Sequence, residues 1–499
     1  MPAMKRLVIA SLLASSLAAP PAAALTIDPF LVFRDVARRP VKTALPREGA
    51  LADEDYDPCD FGPLPKVLDL LEVVERSLCQ DPQVRQAWAQ AKYQAAVLGV
   101  RQGAYLPTLS ATLNAGQQSN HARYAGKFSV LNSDSKPSIY SGGLKMTWVL
   151  TDFNMTRSNV RQARAMLEAA NSAHDTAIQA AFLRATQAYF DALAAQAVLD
   201  ATREVEKLAR ESLLVAEGRV KGGVSSLTDQ LQASTAYAQA KLERVAAESD
   251  YQSALGNIAI AIGVRVGGAL DLEKADALLH DTSFVKSADE LIDEARSAHP
   301  RLLSLRAEVD AAEAGVSAMR AEGRPSVVLS AEAVRTSQEN QLPSAGYQPT
   351  DINNRNSAIG VQINIPLFEG FSRSYKVQSA KSQVEAKEAE YAATEKQVML
   401  EVWKGYQVLG AETQNLDTTQ DLLGNARKSF EVARGRYKEG VGSIVELLNV
   451  QATLAKALQQ RVKTLSNWHN ARLKLAASVG KIDYWAISGL FEKGGRKRR

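Results

Sequence analysis

The side chains able to do chemistry are few in this chain and too widely spread to act together. Five histidines, His121, His174, His280, His299 and His469, stand far apart. None belongs to the H-E-x-x-H helix pattern that would hold a catalytic zinc ion. There is no G-x-S-x-G elbow to present a serine nucleophile, and no P-loop to cradle phosphates. The acidic run Asp53, Glu54, Asp55 and Asp57 lacks the ligand spacing of a calcium loop and reads as a solvated linker. Cys59 and Cys79 cannot make a structural zinc site alone, and no histidine pair sits near them. In an oxidising compartment the two could form a disulfide tying a Pro- and Asp-rich leader to the first helix. Two free thiols are the competing reading, because spacing alone does not show that the sulfurs meet. No catalytic group, metal or cofactor is therefore expected.

The N-terminus indicates the compartment. Lys5 and Arg6 precede the apolar run Leu7 to Ala19, then Pro20, Pro21 and three alanines. That order is a secretory signal peptide over residues 1–24, cleaved after Ala24. No cysteine follows that site, so a bacterial lipid anchor there is not expected. Further along no run of ~18 apolar residues exists to form a transmembrane helix. An exported chain of this kind is soluble, surface-attached or a β-barrel. The net charge of +4 over 499 residues is no argument for nucleic acid. The basic end Gly494 to Arg499 reads as disordered, with lipid contact as the alternative.

The elements that follow come in two copies. Asp81-Pro82 to Gly263 reappears as His299-Pro300 to Gly480. Pro107 and Pro325 lie 218 residues apart, while Gly218 and Gly435, like Gly263 and Gly480, lie 217 apart. A register that slips by one residue over such a distance marks a duplication. Each copy reads as a helix, two strands around a polar loop, and two long helices. Leu109, Ala111, Leu113 and Ala115 alternate with polar residues, as do Leu144, Met146, Trp148 and Leu150. In the second copy Val327, Leu329, Ala331 and Ala333 alternate less cleanly, and Ile359, Val361, Ile363, Ile365 and Leu367 most clearly. Period-two alternation gives one apolar and one polar face. At about 9–11 residues each, such strands can cross a membrane as tilted barrel strands. A half-buried soluble sheet is the alternative. The intervening loops, Gln117 to Tyr140 and Thr336 to Arg355, are rich in small polar residues.

The helices are written in heptads. Leu409, Leu416, Leu423, Phe430 and Tyr437 fall seven apart, and Ile444, Leu447, Gln451, Leu454 and Leu458 three or four apart. A 3.5-residue period predicts coiled-coil packing. Ser372 to Arg434 contains no proline, so a continuous helix of ~60 residues and ~90 Å is expected. Four membrane strands cannot close a barrel, and open edges in lipid leave backbone groups unsatisfied. The chain must then oligomerise.

From about Leu64 to Ser478 the chain resembles the TolC family of trimeric outer-membrane export ducts. The resemblance rests on the duplication, on Leu106-Pro107-Thr108-Leu109 opening the first strand, and on two glycine turns, Arg219 to Asp229 and Arg436 to Glu446. It implies an α+β fold: a homotrimer with a 12-stranded outer-membrane barrel, four strands per chain, continued by a coiled-coil periplasmic tunnel. The expected organisation is a signal peptide (1–24), a linker (25–63), a first repeat (64–263), a connector with a short helix (264–298), a second repeat (299–480) and a tail (481–499). The resemblance also implies tips that dock a periplasmic adaptor, carried by Gly223, Val224, Ser226, Gly440, Val441 and Ser443. Plain helix-turn-helix glycines cover the same facts. The family's tunnel latch maps onto Tyr437 and Asp229, and its constriction onto Glu446 and Asn449. Here one constriction carboxylate is an amide, and the latch arginine is Gly442. A solvated helix face is the alternative for each of these residues.

The segment Cys79-Gln80-Asp81-Pro82-Gln83 resembles type I secretion members such as haemolysin and cyclolysin exporters. That resemblance implies an inner-membrane ABC transporter as partner, with outer-membrane lipid around the barrel and a protein toxin as cargo. A multidrug efflux duct is the alternative within the family. A periplasmic coiled-coil scaffold is the alternative outside transport, and an envelope hydrolase is a distant third.

Overall fold

The computed structural model describes residues 29–36, 59, 61, 63–65, 67–267, 270–272, 287–340 and 350–480. The signal peptide, the acidic run at 53–57, His280 and the C-terminal tail lie outside these residues. The chain order is β1 (Val67–Leu68), α1 (Leu70–Gln80), α2 (Pro82–Gly103), β2 (Thr108–Gln117), β3 (Asn120–Ala122), β4 (Ser133–Ser135) and β5 (Ser138–Thr151). There follow α3 (Met155–Lys221), α4 (Leu227–Ala261), β6 (Asp271–Leu272), α5 (Ala288–Ala298) and α6 (Pro300–Glu322). The chain continues with β7 (Ser326–Asn340), β8 (Thr350–Asn364), α7 (Ser372–Lys438) and α8 (Ile444–Val479). Two compact units result, and each draws on both halves of the sequence.

One unit takes Lys92–Arg164 and Ala314–Gln378 and holds the antiparallel sheet, in the order β2-β5-β7-β8. Cross-strand register puts Leu109, Met146, Ala331 and Ile359 in one row, and Ala111, Leu144, Ala333 and Ser357 in the next. The opposite face carries Ser110, Lys145, Glu332 and Ala358. The apolar row ends are bare: Leu109 is 73% exposed and Ile359 77%. The strands have 10, 14, 15 and 15 residues, so three exceed the 9–11 expected. β7 and β8 run well into the segment expected as a loop, pairing Thr336 with Asn354 and Asn340 with Thr350. Those rungs are polar, and hydrophobic alternation is blind to pairing between solvated strands. β5 likewise begins at Ser138, inside the first expected loop, and β3 pairs with β4 in that loop. At the other end β8 stops at Asn364, so Ile365 and Leu367 fall outside it. Pro366 has no N–H to continue a ladder.

At the end of the sheet away from these loops, both strand-to-helix turns use the same backbone. Phe153 and Asn154 have φ of 50° and 81°, and Gly370 and Phe371, 217 residues on, have 60° and 62°. Asp152 caps α3 by accepting from the Thr156 amide at 2.7 Å.

The other unit contains the helical core, and the heptads are its organising feature. α3 and α7 each have 67 residues, ~100 Å at 1.5 Å per residue. Leu409, Leu416, Phe430 and Tyr437 are buried on α7, as are Ile444, Leu447, Gln451, Leu454 and Leu458 on α8. Phe430, Tyr437, Ile444, Leu447, Leu454 and Leu458 pack with Ala201, Ala209 and Ala216 of α3 and Ala233 and Ala240 of α4, whereas Leu409 and Leu416 pack with Trp468 and Leu475. In the former cluster the first half of the chain contributes mainly alanines and the second half most of the large buried side chains. Fully burying a side chain such as Phe430 contributes ~1.5–3 kcal/mol.

Cys59 and Cys79 are disulfide-bonded across a separation of 20 residues. Closing a loop of that size contributes about 3 kcal/mol through the unfolded state. Asp81, two residues on, accepts from the Gln83 amide at 2.7 Å and pairs with Arg184 at 2.5 Å. Burial works against its charge, but Arg184 and the Val84 and Gln83 amides win and hold its carboxyl below the usual range. Pro82 then opens α2, where a missing N–H costs nothing. The Cys79–Gln83 segment is therefore a helix-capping corner, a role that does not discriminate between cargoes.

Candidate functional site

The sequence places its functional residues at the two helix reversals, and the structure builds both from the same parts. α3 ends in a left-handed glycine, Gly223, with φ of 71°. Its amide bonds the Val220 carbonyl at 3.0 Å, and the Val224 amide reaches Arg219 at 3.0 Å. α7 ends likewise at Gly440, φ 85°, with Gly440 bonding Tyr437 and Val441 bonding Arg436. This double bond around a positive-φ residue is a Schellman motif, where a side chain would be strained. Serine then caps the next helix in each tip. Ser226 accepts from the Asp229 amide, and Ser443 accepts from the Glu446 amide at 3.1 Å. The residues just past the glycines, Val224 and Val441, are 66% and 70% exposed. Leu227 and Val445, in the first turns of α4 and α8, are exposed as well.

The residues expected to form a latch come together. Tyr437 is 2% exposed, and its hydroxyl lies in the field of Ser225, Asp229 and Arg219. Ser225 donates its proton to the Asp229 carboxylate, which also accepts from Ser226 at 2.9 Å. The phenol oxygen lies beside Ser225 but makes no well-aligned hydrogen bond among the described residues. Burial pushes the Tyr437 hydroxyl up from its usual range, with the Asp229 charge adding to it and Ser225 and Arg219 opposing. The bonds from Ser225 and Ser226, aided by Arg219, hold the Asp229 carboxyl below its usual range. Arg219 is the piece that sequence reasoning missed. Its Nη1 donates to the Tyr437 carbonyl at 2.6 Å, and its guanidinium lies 4.9 Å from the Tyr437 ring centroid. An end-of-helix carbonyl needs such a donor, and a cation over an aromatic face adds to the attraction. Ser225 was also missed. The signal for it was the comparison of copies, since its counterpart 217 residues on is Gly442.

The expected constriction residues sit apart from this cluster. Glu446 is 3.7 Å from Arg436 of its own tip, and both side chains are about half exposed. Asn449 is exposed one turn further along α8, its carbonyl accepting from Thr453. Gly442, where an arginine was expected, sits in a tight spot. A Cβ there would lie 3.0 Å from the Tyr437 nitrogen and 3.1 Å from Arg436 Cβ.

One other constellation has the form of a catalytic relay. Ser119 meets His121 Nε2 at 3.1 Å, and His121 Nδ1 meets Asp134 at 2.6 Å. His121 and Asp134 are more than half exposed, and Arg123 shares Asp134 at 2.7 Å, holding that carboxyl at about 2. A general base this wet and this divided is poorly placed to activate a serine. The cluster fastens β3 to β4.

This geometry can hold two helical hairpins shut against each other, and the comparisons with known proteins place it in a family. A model described as outer membrane efflux protein matches residues 73–264 and again 291–481. Protein CyaE of Bordetella pertussis is 29% identical over 423 residues, covering 85% of this chain and 86% of that one. The toluene efflux pump outer membrane protein TtgC of Pseudomonas putida is 25% identical, covering 82% of each. The alkaline protease secretion protein AprF of Pseudomonas aeruginosa is 23% identical, covering 83% and 85%. Among solved structures, the outer membrane protein VceC of Vibrio cholerae superposes with a TM-score of 0.68 at 20% identity, covering 82% of this chain and 96% of that one. With two matches that together span most of its length, the chain belongs to the outer membrane efflux protein family, the TolC-type channels of the cell outer membrane.

Proposed function

We propose that three copies of this chain form a duct that exports a protein across the periplasm and outer membrane, as the outer component of a type I secretion system. The observation that carries the trimer is the sheet. β2 and β8 are its edges, their outer sides have no strand partner among the described residues, and its apolar face is exposed. A sheet in lipid cannot leave its edges open. Three copies joined edge to edge give twelve strands, enough to enclose a lumen. In this reading Val224, Leu227, Val441 and Val445 form the apolar docking points for a periplasmic adaptor, and an inner-membrane ABC transporter supplies the energy. Tyr437, Asp229, Arg219 and Ser225 hold the tips closed. Glu446 forms the remaining acidic ring, with Asn449 diluting its charge.

The secretion reading is supported by likeness to a protease secretion protein, and the efflux reading by likeness to a toluene pump component. Deleting the gene and comparing culture supernatants separates the two. Loss of one large protein, restored by complementation, is expected. An unchanged supernatant with new sensitivity to small toxic compounds would overturn secretion in favour of efflux. Extraction without detergent and no conductance in planar bilayers would leave only a periplasmic scaffold.

A further inference from the structure

Across the strand ladder of β7 and β8, Arg335 faces Arg355 directly. Like charges in that position repel, and a sheet does not place them there without cause. Their row also holds Leu113 and Gly142, which puts both arginines on the apolar face of the sheet. Both are exposed, and no ion pair to either is formed among the described residues. The acidic residue nearest in β7, Glu332, lies on the opposite face by parity.

Below this pair is a groove of about 550 Å³, whose wall on the apolar face includes Ala111, Leu113, Gly142, Leu144 and Ala333. Gly142 keeps it open, since a Cβ there would press to 3.1 Å from Leu113 Cδ2. Height decides what the arginines meet. Arg335 is nine residues above Ser326, the first residue of β7. At ~3.3 Å per residue and a tilt of ~40°, that is a rise of ~23 Å, close to the ~25 Å apolar band of an outer-membrane barrel. The arginines therefore stand at headgroup level on the side of the β-strand loops.

We propose that Arg335 and Arg355 together bind the phosphorylated headgroup of an outer-leaflet glycolipid, with one of its acyl chains lying in the groove beside Gly142. A phosphate between two guanidinium forks turns repulsion into paired charge-assisted bonds. The groove's apolar wall matches an acyl chain and would not suit a free anion. Edge-to-edge pairing of copies uses the strand edges and leaves this face to lipid. The proposal rests on the barrel reading given above.

The test uses the full-length protein purified in detergent, with native mass spectrometry to count bound lipid A carrying or lacking its phosphates. Phosphorylated lipid A should bind about tenfold or more tightly than the dephosphorylated form. The R335Q/R355Q variant should lose that preference and R335K/R355K should keep most of it. Millimolar inorganic phosphate should not displace the lipid. Equal binding of the two lipid forms by the unmodified protein would overturn the proposal without reference to any variant. So would undiminished preference in R335Q/R355Q, or displacement by inorganic phosphate, which would mean a free-anion site. Planar-bilayer conductance of the same preparations is read in parallel. Its absence from the unmodified protein would defeat the channel reading, whereas conductance with no phosphate preference would defeat this proposal alone.

Discussion

At Gly223 and at Gly440 the chain turns back on itself with the same two carbonyl bonds, the same positive φ and the same serine cap. What the side chains hold is different. In the first tip Arg219 reaches out to the Tyr437 carbonyl of the second repeat, while its counterpart Arg436 stays at home beside Glu446. Ser225 grips Asp229, while Gly442 in the same position leaves Glu446 with its cap and one distant cation. Tyr437 is buried, while Val220 at the equivalent place is only half-buried. The two tips share the backbone of the turn, which glycine and serine dictate locally. They differ in the contacts between turns, which join the two tips asymmetrically.

The largest effect of this asymmetry comes from Tyr437. Truncation to alanine removes a buried aromatic from the seam with Phe430 and Leu447 and should cost about 3 kcal/mol of local stability. Val220→Ala should cost less than half as much. Hydrogen exchange at residues 215–230 and 432–446 would read both, and equal loss of protection would erase the distinction between the tips. Arg219→Ala comes next. It strips a charged donor from the Tyr437 carbonyl and should cost about 2 kcal/mol. Arg436→Ala breaks only an exposed pair and should cost under about 1 kcal/mol. In planar bilayers the Arg219 variant should open more readily than the Arg436 variant, and the reverse order would refute the assignment of the clasp to Arg219.

The heptad residues Leu409 to Tyr437 could be read from spacing because, apart from half-buried Leu423, they are buried at seven-residue intervals along one helix. The Arg219–Tyr437 bond could not, because its partners are 218 residues apart and a main-chain acceptor has no sequence identity. Strand cores such as Leu109 to Ala115 were visible, but the polar rungs from Thr336 to Asn340 were not, since pairing between solvated strands carries no hydrophobic signal. Gly442 was noticed only as a missing arginine. The structure gives the reason: the Tyr437 amide and Arg436 close over the place where a Cβ would stand. Gly442→Ser, which would make the second tip resemble the first in composition, should therefore destabilise it by about 1 kcal/mol through crowding. A neutral or stabilising result, measured by the same exchange protection, would show that this turn yields easily.

The smallest effect tests the opposite exchange, Ser225→Gly, which gives the first tip the residue of the second. Ser225 is the leading cause of the lowered Asp229 pKa, followed by Ser226. A carboxylate whose folded pKa is lowered contributes stability above its unfolded value, ~3.9 for aspartate, and loses it as pH falls through the folded value. Asp229 lies largely in solvent, so the contribution is small and screened. In the unmodified protein, exchange protection of the first tip should thus fall only below the ordinary aspartate range. In Ser225→Gly the folded value rises towards the unfolded one, so the acid loss should shrink, with little change in protection at neutral pH. Asp229→Asn should abolish the acid transition in this tip, while Glu446→Gln should leave it in place. An acid transition that survives Asp229→Asn would locate the titrating group elsewhere and remove the serine-held carboxylate as the difference between the two tips.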